Sequence, residues 1–217
     1  MELGFNEKDL AVFSLTLPAD KKIEERFSSW LPGELERATN KRKQEYVAGR
    51  YCASKAAESL GVKLTKLPSS VTREPLWPEG MVGSISHSKA LVVSGVSISR
   101  NICSVGIDAE EILRKNIGVE DYIATDSELK LLKGDYQRGL TVLFSGKEAL
   151  YKALFPIVRC FIDFKEVLLT SIDFEKQSFE LELRTSTPSL QKSLGTYQGI
   201  FQQYDETIIS LVKISKT

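Results

Sequence analysis

Short strand-like segments recur along most of this chain. Residues 10–17, 91–99 and 102–108 carry strand patterns, and a turn near Arg100 and Asn101 predicts that the last two form a hairpin. Beyond residue 155, further strands are predicted near residues 166–172, 178–184, 196–203 and 207–214. Because helices separate few of these strands, the pattern favours an antiparallel α+β fold over a doubly wound sheet.

Two helical stretches have clear boundaries in the sequence. Pro32 and Gly61 bracket a long stretch, which is either one helix or two. Thr125-Asp-Ser-Glu128 is a capping-box pattern that opens another helix, and Gly134 is expected to close it.

The predicted strand around residue 105 carries two acids on one face. Alternate residues of a strand point to opposite sides, so Asp108 and Glu110 share a face with Gly106, which leaves open space beside them. Glu111 follows directly but points to the opposite face. We therefore predict that Asp108 and Glu110 act together, without Glu111.

A third helix is predicted over residues 144–155. Glu148 and Lys152, four positions apart, lie in the gap between two apolar flanks of this helix. Hard cations prefer oxygen ligands, and Mg²⁺ usually takes one or two carboxylates plus substrate phosphates. With Lys147 and Lys152 facing the remaining phosphate charge, the three carboxylates predict metal-assisted transfer of a phosphate-containing group. The alternative is an ordinary ion pair on the helix and solvated acids on an exposed strand.

Composition narrows the class of protein. The 217 residues suffice for one domain or two small ones. The net charge is zero, so no global basic field indicates a nucleic-acid or membrane partner. Three widely spaced cysteines indicate neither a disulfide framework nor a zinc site. Without signal-peptide features or an apolar run of membrane-spanning length, we expect a cytoplasmic protein. A monomer is expected, but the sequence does not reveal the oligomeric state.

Four motifs follow one another between residues 41 and 152. They are the segment 41–50, Arg73-Glu-Pro75 with the segment 77–88 that ends in Ser86-His-Ser88, the strand Val105-Gly-Ile-Asp-Ala-Glu110, and the helix Phe144-Ser-Gly-Lys-Glu-Ala-Leu-Tyr-Lys152. In this order they resemble the signatures of the Sfp-type 4′-phosphopantetheinyl transferases. The resemblance is greatest to the branch that serves siderophore synthetases such as the enterobactin enzyme.

This resemblance implies a fold and a division of the chain. It implies a pseudo-dimer of two similar α+β halves with the active site between them, each half with a small antiparallel sheet packed on a long helix. Residues 1–101 would form the N-terminal half, on the coenzyme A-binding side. Residues 102–217 would form the C-terminal half, with the metal-binding strand and helix.

The resemblance also implies which residues bind coenzyme A. Ser86 and His87 would hold its phosphates, although a lone histidine in a serine-rich turn is more often structural. Arg42 and Arg50, eight positions apart and close to one face of a helix, could clamp phosphate, for which guanidinium groups are well suited, and the resemblance favours Arg50 of the two. The alternative for these arginines is a solvated basic helix.

A proline-rich loop is predicted over residues 66–83. By resemblance, its Arg73 and Pro75 pack beside the adenine of coenzyme A. Many relatives carry Gly-Lys-Pro at this position, so Glu74 departs from that version. The resemblance therefore gives no support for a role of the Glu74 side chain, while backbone contacts could persist.

The implied reaction moves 4′-phosphopantetheine from coenzyme A to a serine of an apo carrier protein and releases 3′,5′-ADP. Asp108, Glu110 and Glu148 would hold Mg²⁺, and the sequence does not distinguish Mg²⁺ from Mn²⁺. Lys152 and His87 would donate to the phosphates. Glu148 would also be the base for the carrier serine, directly or through a water.

Two other functions use the same residues. A Mg²⁺-dependent phosphohydrolase acting on a nucleotide would need the three carboxylates and a positioned water, but no carrier surface. A non-catalytic binder of coenzyme A or of a carrier protein would tolerate the loss of an acid or a lysine, and no motif position is lost.

The stretch 112–122 follows the acidic strand directly and mixes Arg114 and Lys115 with apolar residues. The resemblance implies that an acidic peptidyl, aryl or acyl carrier domain docks close to this stretch, where we expect the basic side chains to steer it. The alternatives are an ordinary surface connection, or docking on the apolar run 155–161.

Overall fold

The computed structural model describes residues 4–5, 8–113, 118–132 and 134–216. The chain divides into two compact units, residues 1–103 and 104–217, where the sequence prediction placed the boundary after residue 101. Each unit has a sheet with one long helix packed on it. The predicted α+β class is confirmed.

The N-terminal unit is built on a three-stranded antiparallel sheet. Its elements are β1 (Leu10–Thr16), α1 (Lys21–Phe27), α2 (Asn40–Ser59), β2 (Val82–His87) and β3 (Leu91–Ser97). The central strand β3 pairs with β1 on one side and β2 on the other. Every residue of β3 is buried, and small side chains of α2 such as Ala53 pack on this sheet.

Helix α2 is shorter than the stretch between Pro32 and Gly61. It begins at Asn40 because the Thr39 hydroxyl accepts a hydrogen bond from the Arg42 N–H at 3.3 Å. It ends before Gly61, whose φ of +78° lets the chain turn away. The preceding residues form a separate 3₁₀ turn, Gly33–Leu35.

The C-terminal unit is built on a five-stranded sheet in the order β4-β8-β7-β6-β5. Its elements are β4 (Ile102–Glu111), α3 (Glu120–Ile123), α4 (Asp126–Leu129), α5 (Tyr136–Val158), β5 (Val167–Asp173), β6 (Ser178–Leu183), β7 (Gly195–Tyr204) and β8 (Thr207–Ser215). The four strands predicted beyond residue 155 are confirmed. Leu143, Leu150 and Leu154 of α5 join the core over this sheet.

The predicted hairpin over residues 91–108 is wrong. β3 already has β1 and β2 as its neighbours, and β4 pairs with β8 in the second sheet. Two adjacent strand patterns and a short turn signal do not reveal that both edges of β3 are occupied by strands distant in sequence. The serine-rich turn predicted around His87 is likewise the end of strand β2.

Two predicted helix boundaries are also wrong. The capping box of Thr125 and Glu128 is present, but the helix stops at Leu129 instead of continuing toward Gly134. Helix α5 begins eight residues before Phe144, because Asp135 caps it by accepting from the Arg138 N–H at 3.2 Å. In the described part of the chain, no helix is long and apolar enough to cross a membrane.

Candidate functional site

Arg42, Glu45 and His87 form a polar cluster in the N-terminal unit. Arg42 Nη1 lies 3.2 Å from His87 Nε2 and 3.5 Å from Glu45 Oε2. A guanidinium only donates hydrogen bonds, so in this contact His87 Nε2 accepts. The neighbouring Ser86 is buried on β2. Sequence reasoning missed Glu45, because an acid three residues after an arginine looks like an ordinary helical ion pair.

Arg50 is buried on α2. The alternative that it lies on a solvated basic face of the helix is therefore wrong. Its Nε donates to the Leu67 carbonyl at 3.0 Å and its Nη2 to Ser69 Oγ at 2.7 Å. The guanidinium carbon lies 4.0 Å from the ring centre of Tyr46, and burial lowers the pKa of Arg50. Arg42 and Arg50 both line a cavity of about 470 Å³, together with Lys66 and Arg73.

The turn that carries Arg73 forms one wall of this cavity. Arg73 has a φ of +74° and donates its backbone N–H to the Ser70 carbonyl at 3.1 Å. The Glu74 carboxylate accepts from the hydroxyl of Ser70 and, at 2.6 Å, from that of Thr72, so this side chain braces the turn. Pro75 pairs with the strand-like Ser69. Arg73 therefore lines the cavity, and Pro75 holds the turn that carries it.

In the C-terminal unit, β4 and α5 approach each other at Gly106. A β-carbon at this position would lie 1.8 Å from the Ala149 carbonyl oxygen and 2.6 Å from the Ala153 nitrogen. The prediction that Gly106 leaves open space beside the acids is wrong, because the backbone of α5 fills that space. The missing side chain lets the helix come close enough to place Lys152 beside Asp108.

Asp108 and Lys152 form the central contact of the acidic cluster. The Lys152 ammonium donates to Asp108 Oδ1 at 2.6 Å. Asp108 is buried, and Lys152 is about a quarter exposed. The sequence predicted that Lys152 lies beside Glu148 on one helix. In the structure Lys152 also contacts Asp108 of the neighbouring strand β4.

The pKa values of Glu110 and Glu148 are both raised in this cluster. Burial raises the pKa of Glu110 to about 7, with repulsion from Asp108 as the next cause and an opposing effect of Lys152. Burial also raises the pKa of Glu148, which Lys152 lowers and Asp108 raises. The three carboxylates are therefore close enough to interact, and one lysine does not offset their charge.

The donor set suits a hard cation, since it consists of carboxylate oxygens. Among the residues described, no three or more His, Cys, Asp or Glu side chains are arranged to hold a metal ion by themselves. Such an open arrangement is compatible with Mg²⁺, which usually shares its ligands with substrate phosphates. The three acids fit that ion in chemistry and burial, although they do not form a closed cage.

Lys147 does not face this cluster, and the prediction that it faces phosphate is wrong. Its ammonium is buried and donates to the carbonyls of Ile123 at 2.7 Å and Phe164 at 3.0 Å. It also lies 2.7 Å from Glu128 Oε1, in an ion pair whose side chains are each about 1% exposed. Residue 147 points away from residue 148 because neighbours on a helix lie about 100° apart.

The predicted docking stretch 112–122 is described only in part. Arg114 and Lys115 lie outside the described residues. Tyr122 is 75% exposed. Three apolar residues of the stretch pack partly on the core of the C-terminal unit: Ile112, Leu113 and Val119.

Two protein-family models match this chain, one in each unit. Residues 31–97 match the 4′-phosphopantetheinyl transferase N-terminal domain. Residues 104–209 match the 4′-phosphopantetheinyl transferase superfamily.

Individual relatives agree with these family matches. The chain is 34% identical over 141 residues to 4′-phosphopantetheinyl transferase PptT of Mycobacterium tuberculosis, covering 62% of this chain and 60% of that protein. It is 32% identical over 190 residues to enterobactin synthase component D of Salmonella typhimurium, covering 84% of this chain and 77% of that protein. The family predicted from the four motifs is therefore confirmed, and the chain belongs to the 4′-phosphopantetheinyl transferase superfamily.

Proposed function

We propose that this chain transfers the 4′-phosphopantetheine group of coenzyme A to a serine of an apo carrier protein. The carrier oxygen would form a bond to the phosphorus that bears pantetheine, and the bond to the leaving 3′,5′-ADP would break. The observation that carries this proposal is the partly buried cluster of Asp108, Glu110, Glu148 and Lys152, in a chain of a family named for this transfer. Family membership favours neither a phosphohydrolase nor a non-catalytic binder.

The acids of β4 and α5 would hold a divalent cation. We assign Asp108, Glu110 and Glu148 to Mg²⁺, because all three are carboxylates close enough to interact: burial raises the pKa of Glu110 and of Glu148, and repulsion from Asp108 adds to it. When bound, the ion would offset the negative charge that develops on the phosphates during transfer. Lys152, already on Asp108 at 2.6 Å, would donate a hydrogen bond to a phosphate oxygen.

Glu148 is the proposed base for the carrier serine. A carboxylate whose pKa is raised by burial accepts a proton more readily at neutral pH than an exposed one. The serine proton would move to Glu148 as the oxygen attacks phosphorus. Phosphoryl transfer asks mainly for positioning and charge stabilisation, so Glu148 would serve as both ligand and base.

The basic residues of the N-terminal unit would bind coenzyme A. We assign Arg42, Arg50 and Arg73 to its phosphates and adenosine, because they line one cavity. Ser86 and His87 would hold phosphate beside Arg42, and Pro75 would keep the Arg73 turn in place. Glu45 would orient Arg42 and offset part of its positive charge.

The carrier is proposed to be a carrier domain of a nonribosomal peptide synthetase for a siderophore. Several relatives are named enterobactin synthase component D, and the chain spans 77% of one of them. Relatives without that name, such as PptT, are equally similar in identity. Peptidyl, aryl and acyl carriers should therefore be compared side by side. A cytoplasmic location and a monomeric state stay predictions.

The direct test is a mass spectrum of a purified apo carrier after incubation with this protein, coenzyme A and Mg²⁺. We expect the carrier to gain one phosphopantetheine, and to gain none if its acceptor serine is replaced by alanine. An incubation with coenzyme A and Mg²⁺ but without a carrier distinguishes the transferase from the two alternatives. A phosphohydrolase would release 3′,5′-ADP without a carrier, and a binder would release none with or without it.

A further inference from the structure

Residues 70–74 of the N-terminal unit form a tight hairpin turn that ends in an unfavourable backbone conformation. The Ser70 N–H donates to the Glu74 carbonyl at 2.9 Å, and the Arg73 N–H donates to the Ser70 carbonyl at 3.1 Å. In a three-residue hairpin loop of this kind the last residue is left-handed. That residue is Arg73, with a φ of +74°. Glycine suits such a position, because a β-carbon there is strained.

The turn itself does not require a side chain at this position. Glycine would form the same turn without strain, but it would place no charge in the cavity that Arg73 lines together with Arg42, Arg50 and Lys66. Residues in sparsely populated backbone conformations persist where their surroundings hold them, and they concentrate at functional sites. We therefore looked for contacts that hold Arg73 in this conformation.

The Glu74 carboxylate supplies such contacts. Its Oε2 accepts hydrogen bonds from the hydroxyl of Ser70 and, at 2.6 Å, from that of Thr72. The Ser70 hydroxyl in turn accepts from the Thr72 N–H at 3.0 Å. These bonds join residues on both sides of Arg73, so a change in the Arg73 backbone would pull the Glu74 carboxylate away from both hydroxyls.

The base of the turn is fastened to helix α2. Arg50 Nη2 donates to Ser69 Oγ at 2.7 Å, and Ser69 pairs with Pro75 across the base of the turn. Helix α2 also carries Arg42, which lines the same cavity. The base is therefore fixed relative to the cavity by α2, whereas the conformation of the tip depends on Glu74.

We propose that Glu74 is a positioning residue for coenzyme A. It holds the turn in the form that places Arg73 on the wall of the cavity, and it acts through Arg73 without a contact of its own with the ligand. This inference rests on the proposed transferase function, because it concerns the donor substrate of that reaction. It gives a role to a side chain for which the family resemblance offers no support.

Calorimetric titration with coenzyme A, without a carrier, is the first test. Glu74→Ala removes the acceptor of both hydroxyls, and we expect Kd to rise about fivefold, the scale of a lost hydrogen bond. Glu74→Gln keeps an oxygen that can accept from both hydroxyls, and it should bind within about twofold of wild type. Val71→Ala is the matched control, because the Val71 side chain lies in the same turn and is fully exposed. It should bind like wild type.

A double-mutant cycle tests whether Glu74 acts through Arg73. Arg73→Gly relieves the strain and removes the charge, and we expect Kd to rise about tenfold, the scale of a lost charge-assisted contact. In that background Glu74 has no strained residue left to hold. Arg73→Gly with Glu74→Ala should therefore bind no more weakly than Arg73→Gly alone, whereas independent effects would multiply to about fiftyfold.

Steady-state kinetics separates positioning from a general loss of structure. Glu74→Ala should raise KM for coenzyme A and leave KM for the carrier unchanged, with a urea midpoint close to wild type because residues 71–73 are exposed. The inference is overturned if Glu74→Ala binds coenzyme A at least as tightly as wild type, if Glu74→Gln binds as weakly as Glu74→Ala, or if the effects multiply in the double variant. If wild-type protein binds coenzyme A but modifies no carrier, the proposed function fails and the calorimetric cycle still decides the role of Glu74. Wild-type protein that binds no coenzyme A would overturn both.

Discussion

At the scale of single residues, charge balance differs between the two units. In the N-terminal unit, buried Glu45 compensates Arg42 beside His87. In the C-terminal unit, three carboxylates lie near Lys152, and repulsion adds to burial in raising the pKa of Glu110. Bringing a cation to the second cluster would relieve this repulsion, whereas an anion brought to the first would meet donors that are already oriented.

Asp108 provides the sharpest residue-level test of the acidic cluster. Asp108→Ala removes the proposed ligand that Lys152 contacts, and we expect turnover to fall about a hundredfold or more, as when a key electrostatic group is lost. Stability to urea should change little, because repulsion with Glu110 is relieved. Glu111→Ala is the control and should keep most of the activity. Full activity of Asp108→Ala, or of wild type in excess EDTA, would exclude the proposed metal role.

His87 tests the phosphate cluster of the N-terminal unit. His87→Ala removes the group that accepts from Arg42, and we expect weaker binding of coenzyme A in calorimetry, by about tenfold for a lost charge-assisted contact. Lys21→Ala removes an exposed positive charge on α1 and serves as the control. Unchanged affinity in His87→Ala would mean that this side chain has only a structural role.

At the scale of elements, the site of the C-terminal unit depends on one close crossing. β4 supplies Asp108 and Glu110, α5 supplies Glu148 and Lys152, and Gly106 lets the two backbones touch. Interiors are close-packed, so a methyl group added at such a crossing has nowhere to go.

We therefore expect Gly106→Ala to be among the more damaging small substitutions. The added β-carbon would overlap the Ala149 carbonyl, and backbone atoms cannot rotate away as a side chain can. We predict a loss of about 3 kcal/mol in the free energy of unfolding, measured by urea denaturation, together with loss of activity. Gly33→Ala, whose added β-carbon would meet only Glu36 at 4.0 Å, should be nearly neutral. A stable, active Gly106→Ala would contradict the crossing.

Local patterns predicted what depends on local geometry. The period of the acidic strand placed Asp108 and Glu110 on one face, and the capping box at Thr125 is present. The pattern did not reveal that Gly106 faces a helix backbone, that Lys147 is buried, or that β3 and β4 belong to different sheets. Each of these depends on segments far apart in sequence, such as Glu128 and Phe164 around Lys147. No spacing within a motif carries that information.

At the scale of the whole molecule, the open question is where the carrier binds. The double reversal Arg114→Glu with Lys115→Glu should raise KM for an acidic carrier and leave KM for coenzyme A unchanged, with a defect that shrinks as salt rises. Phe161→Ser is the competing variant, because Phe161 is 70% exposed in the apolar run 155–161. If Phe161→Ser alone raises the carrier KM, docking lies on that run.

The crossing at Gly106 matters for anyone who would rebuild this chemistry in a new scaffold. Copying Asp108, Glu148 and Lys152 onto an arbitrary strand and helix would leave the groups apart, since a β-carbon at position 106 would hold the helix away. Designed sites need their supporting residues as much as their reactive ones. A successful graft would have to include the glycine at position 106 as well as the reactive side chains.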